Sequence, residues 1–148
     1  MRECPIELQE IIQSLLTDLG GSRVTLRQAT EGDVFPVTHE ALAPGAPSIV
    51  GVETPNMAGQ PVVVRVLAGQ QIIQHDCASE FVDDKPFHDM LELYGGMRAQ
   101  IVTPVVIDGA VKGIISLHVL GATRDWTEAD AARCQAAVDD VHRVLSTS

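Results

Sequence analysis

The chain has 148 residues, 45% of them hydrophobic but only 3% aromatic, with a formal charge of -10. That length suits one domain, expected over residues 1–148, whose core must be packed mainly by Val, Ile, Leu and Ala. The charge excludes nucleic acid and anionic membranes as favoured partners, because either would be approached against Coulomb repulsion.

No stretch of about 18 apolar residues occurs, and the N-terminus lacks a charged start followed by an apolar run, so a cytoplasmic protein is expected. Three cysteines, Cys4, Cys77 and Cys134, form an odd set without CxxC spacing. This argues against a disulfide framework and a structural zinc site, and reduced thiols are expected.

Pro5 suits the first turn of a helix, and Leu8, Ile11, Ile12, Leu15, Leu16 and Leu19 recur at helical spacing until Gly20 and Gly21. Ser22 to Gln28 alternates like a strand, with Val24 and Leu26 on one side and Arg23, Thr25 and Arg27 on the other. Phe35 to Glu40 is its expected partner, joined through the polar link Ala29 to Asp33. Residues 41–59 hold six Pro and Gly breakers, which predicts a long loop: either a lid over a site or an unstructured insertion.

In Gln60 to Gly69 the β-branched Val62, Val63, Val64 and Val66 favour a strand, whereas Pro61 and Gly69 punctuate a short helix. The punctuation decides for helix. Gln71 to Asp76 predicts a short strand, and Pro86, Phe87, Met90, Leu91 and Tyr94 mark a helix face ending at Gly95 and Gly96. Two Val- and Ile-rich runs between Ala99 and Leu120 flank Asp108 and Gly109, the residues of a hairpin turn. Pro104 cannot donate to the ladder and predicts a bulge or an unpaired position. Thr127 and Asp130 form a capping box that opens a last helix with Cys134, Val138, Val141 and Leu145 on one face.

This order resembles the GAF domain over essentially the whole chain. The likeness is carried by QPVVVRVLAGQQII (60–73), TPVVIDGAVKGIISLHV (103–119) and RDWTEAD (124–130). The resemblance implies an α+β fold, with a central antiparallel sheet, the N- and C-terminal helices on one face and a ligand pocket on the other. Val24 and Leu26 would then face the helices, and Arg23, Thr25 and Arg27 the pocket. Ser116 and His118 fit the pocket side of the last strand, with Gln100 or Thr103 joining from its partner and His75 at the rim.

That polar set suits a small, anionic ligand, because guanidinium groups bind carboxylate or phosphate in bidentate fashion. Arg23 and Arg27 have another environment open to them, outward to solvent or paired with acids such as Glu40. The favoured function is a sensor of a small polar metabolite, signalling through terminal helices that also form a homodimer surface.

The alternative is a small enzyme, with His118 or Cys77 as catalytic candidates. One enzymatic branch of the family, the free methionine-R-sulfoxide reductases, uses cysteines around the pocket. The segment HDCAS around Cys77 is distantly similar to its reactive segment, but no second cysteine lies close by. His39, His75, His88, His118 and His142 lack HxH or HExxH spacing, so no metal is expected. Haem- and bilin-carrying relatives exist, but no attachment-cysteine motif is visible here, and no cofactor is expected.

Overall fold

A computed structural model describes residues 5–29, 35–52 and 59–146. Its elements run α1 (Pro5–Leu19), β1 (Arg23–Gln28), β2 (Val37–Leu42), α2 (Pro61–Leu67), β3 (Ile72–Gln74), α3 (Lys85–Leu93), β4 (Met97–Ile107), β5 (Ala110–Leu120) and α4 (Glu128–Ser146). The strands form one antiparallel sheet in the order β2-β1-β5-β4-β3. The architecture is α+β, as expected.

Alternation along the strands divides the core in two. Val24 and Leu26 of β1, Ile101 of β4 and Ile115 and Leu117 of β5 pack against Ile12 and Leu15 of α1 and Val138 and Val141 of α4. On the opposite face, Val102 and Ile114 meet Val62 and Val66 of α2 and Phe87, Met90 and Leu91 of α3. A period of two residues makes this division, and apolar burial on both faces holds it. Across the helix layer, Arg133 Nε donates to Asp18 Oδ2 at 2.9 Å, joining α4 to α1.

Asp108 and Gly109 both take positive φ, 53° and 79°, so the β4–β5 turn has the conformation the Asp-Gly pair requires. The ladder irregularity expected at Pro104 falls one step later, between Val105 and Val106. The capping box closes in both directions: Thr127 N donates to Asp130 Oδ2 at 3.0 Å, and Asp130 N to Thr127 Oγ1 at 3.1 Å.

Both ends of β2 move. β2 begins two residues later than expected and runs through Leu42, so the following loop starts at Ala43. The β1–β2 link at 30–34 and the loop segment 53–58 lie outside the described residues, as does Cys4. The described part of the loop is fastened down: Ile49 is buried, and its N–H donates to Glu40 Oε2 at 2.8 Å. Among the described residues no helix is long and apolar enough to cross a membrane.

At Gly21 the chain passes close against β5. A Cβ there would lie 2.5 Å from Leu117 Cδ1 and 3.1 Å from His118 O. Gly21→Ala is therefore expected to cost about 1–3 kcal/mol through overpacking. Urea unfolding measures this, and an unchanged midpoint would show that the contact relaxes freely.

Candidate ligand-binding site

The face of the sheet away from α1 and α4 carries a small cavity, partly open to solvent. Val62, Val63 and Val66 of α2, Met90 of α3, and Val102 and Ile114 of the sheet form its apolar wall. The polar lining comes from Arg27 of β1, Gln60, Tyr94 after α3, Gln100 of β4, and Ser116 and His118 of β5. An apolar chamber with a few convergent polar groups is the common form of a small-molecule site.

Arg23 has no exposed surface. Its Nε donates to His118 Nδ1 at 3.0 Å, Nη1 to Pro47 O at 2.8 Å, and Nη2 to Tyr94 O at 2.8 Å. All three acceptors are uncharged. Burial brings the guanidinium pKa down to about 10, against a raising contribution from Glu40, so it stays charged at neutral pH. Arg23 thereby ties β5, the loop after β2 and the end of α3 to one buried cation.

His118 responds to that cation. Burial, and then the charges of Arg23 and Arg27, hold its pKa well below the usual value. The ring is neutral, and because Nδ1 accepts from Arg23, the proton sits on Nε2. The imidazole stacks on Tyr94, centroids 5.8 Å apart. Arg27 Nη2 donates to Tyr94 Oη at 2.9 Å, and Nη1 to Phe35 O at 2.8 Å.

A second chain of bonds orients Gln100. Gln74 Nε2 donates to Glu80 Oε1 at 3.3 Å, which leaves Gln74 Oε1 as an acceptor. That oxygen takes Gln100 Nε2 at 2.6 Å and the Cys77 thiol at 3.5 Å. The other end of the Gln100 amide, Oε1, is left for the cavity.

The residues expected to converge do so in part. Arg27, Gln100, Ser116 and His118 line one cavity, whereas Arg23 stands behind it as an anchor. Thr25, the cross-strand partner of Ser116, is buried with no hydrogen-bond partner for Oγ1 among the described residues. Thr103 belongs to the helix face, where Gln71 Nε2 donates to it at 3.0 Å. Three residues after Gln100, alternation sends it to the other side. Glu40 caps Ile49 N, making no ion pair with either arginine.

His75 is a correction. Gln74, the last residue of β3, faces Gln100 on the cavity side, so alternation turns His75 to the other face, and there its Nδ1 accepts from Trp126 N at 3.0 Å. None of the described residues of the expected lid, 41–59, lines the cavity, α2 covers part of it, and segment 53–58 lies outside the described residues.

Cys77 is a further correction. It opens a 3-10 turn at Cys77–Ser79 and is fully buried, and burial pushes its thiol pKa up to about 12. Cys134 is pushed up to about 12 in the same way, on the opposite side of the sheet. The geometry gives neither thiol a route to a substrate in the cavity.

Tyr94, Gln60 and Gln74 escaped the sequence reading. Tyr94 fits an apolar helix face, and only its being the sole tyrosine sets it apart. The glutamines carry no motif. Among the described residues no cluster of three or more metal-ligating side chains occurs.

A five-stranded antiparallel sheet backed by two terminal helices, with a cavity on its other face, defines an α+β class of fold. The GAF domain family model matches residues 7–145, and the chain belongs to that family. No curated protein sequence matches it. The fold is similar to the GAF domain of the cyanobacteriochrome TePixJ, at TM-score 0.84 and 19% identity over 99% of this chain and 91% of that one. It is similar to the chromophore-binding domain of an unusual bacteriophytochrome from R. palustris, at TM-score 0.79 and 16% identity, covering 97% and 55%. The phycocyanobilin-bound GAF domain of a cyanobacterial phytochrome matches at TM-score 0.76 and 20% identity, covering 95% and 85%.

Two measurements follow. Between the usual histidine pKa of about 6.5 and the much lower native value of His118, the unfolded chain binds one proton more than the folded one. His118 therefore costs stability as pH falls below about 6.5, by up to about 1.4 kcal/mol per unit. Urea unfolding of wild type and His118→Gln should give a stability difference constant above pH 7 that turns against the wild type below pH 6. A difference constant from pH 5 to 8 would contradict a neutral His118. Native protein treated with iodoacetamide at neutral pH should leave Cys77 and Cys134 unmodified until it is unfolded. Rapid alkylation of Cys77 would restore it as a nucleophile.

Proposed function

We propose that this domain is a ligand-binding sensor whose cavity takes a small molecule with an apolar body and an anionic head. The carrying observation is local charge. In a chain of net charge -10, the Arg27 guanidinium and a neutral imidazole with its N–H on Nε2 line the polar end of the cavity, with the buried Arg23 cation behind them. The valine wall of α2 suits the body, and His118 and Arg27 suit the head. Occupancy would be reported through the sheet to α1 and α4, on which a homodimer would form.

Two similar solved structures contain biliverdin and phycocyanobilin. The residues here do not fit a covalently held bilin. Of the two cysteines in the described residues neither lines the cavity, and both thiols are buried and protonated. The narrow, partly open space between α2 and the sheet matches a small metabolite better than a four-ring chromophore.

Calorimetry with small branched carboxylates provides the test. Wild type should bind with micromolar to millimolar affinity, and Arg27→Ala should weaken binding about tenfold or more through loss of a charge-assisted interaction. Equal affinity in the variant would overturn the anionic-head reading.

A further inference from the structure

The two chains of hydrogen bonds that end at the cavity have opposite polarity. One starts at a cation: Arg23 Nε can only donate, so His118 Nδ1 must accept and Nε2 presents an N–H. The other starts at a carboxylate: Glu80 accepts from Gln74 Nε2, Gln74 Oε1 accepts from Gln100 Nε2, and Gln100 Oε1 remains as an acceptor. The Cys77 thiol, protonated because burial raises its pKa to about 12, gives Gln74 Oε1 a second donor and holds the same orientation.

Gln100 and His118 are directly opposed residues of β4 and β5 and line the same cavity. Opposed residues have Cβ atoms about 5 Å apart. A donor and an acceptor thus stand side by side, each fixed by a charge outside the cavity.

We propose that this pair selects a carboxylate with a hydrogen-bond donor on the adjacent carbon, a 2-hydroxy acid with a branched apolar tail. The carboxylate accepts from His118 Nε2–H, and the 2-hydroxyl donates to Gln100 Oε1. A 2-oxo acid sets its carbonyl oxygen against the Gln100 oxygen and is disfavoured, and the unsubstituted acid leaves that oxygen without a partner. Gln74 and Glu80 are positioning residues that act through Gln100. The inference rests on the reading of the cavity as a carboxylate site.

Three probes with the same body test it by calorimetry: 2-hydroxy-4-methylpentanoate, 4-methylpentanoate and 4-methyl-2-oxopentanoate. Wild type should bind the hydroxy acid about tenfold tighter than the unsubstituted acid, with the oxo acid weakest. Gln74→Met frees the Gln100 amide to turn over and should bring the three within about threefold, while the carboxylate still binds. Glu80→Gln, at a half-exposed position, should narrow the same preference without altering the cavity lining.

Equal wild-type affinities for the three probes would overturn the pairing and leave the carboxylate reading intact. So would a preference for the oxo acid. No binding of any probe at millimolar concentration would overturn the carboxylate reading, and the inference with it. A full preference retained in both variants would overturn the positioning role of Gln74 and Glu80. A merely structural role would lower all three affinities together and leave their ratios unchanged.

Discussion

A positive charge sealed inside the molecule organises this structure. Arg23 is fully buried, and its three bonds end on an imidazole and two backbone carbonyls. Desolvating a guanidinium is costly, so such a group persists only where its donors are met, and removing those acceptors would leave a buried cation uncompensated. The loop after β2, the end of α3 and strand β5 are therefore held in one relation to each other. The cavity lies beside that junction, and its shape follows from it.

The same cation sets the chemistry of the cavity without entering it. By donating to Nδ1 it decides which imidazole nitrogen carries hydrogen, and its charge, added to burial, keeps the ring from taking a second proton. His118 is thereby a dependable donor and a poor proton acceptor, a better match for recognition than for general base catalysis. The buried thiols point the same way, since neither Cys77 nor Cys134 has the exposure or the lowered pKa of a nucleophile.

Much of the frame was legible in the sequence because it rests on local rules. The Asp-Gly turn, the Thr127–Asp130 box and the Pro61 and Gly69 punctuation each act within a few residues, and each falls where expected. Alternation also put Val24 with Leu26 and Ser116 with His118 on single faces, and the resemblance to GAF domains gave the first pair to the helices and the second to the opposite face. It could not separate Arg23 from Arg27. Period two gives a face, but which arginine reaches the cavity depends on Tyr94 and Pro47, distant in sequence. His75 was misplaced because its neighbour Gln74 takes the cavity side of β3 by bonding Gln100, which leaves His75 on the other face beside Trp126, whose indole Nε1 donates to Gln74 O at 2.9 Å. The Gln74–Gln100 bond joins residues 26 apart and has no motif.

Through its bond to Nδ1, Arg23 fixes the proton of His118 on Nε2. Long-range ¹H–¹⁵N correlation spectra of protein labelled with ¹⁵N-histidine test it directly, with His118→Gln supplying the assignment. At neutral pH His118 should show a single neutral tautomer, with Nδ1 bare and hydrogen on Nε2. A proton on Nδ1, or an imidazolium signal, would contradict it.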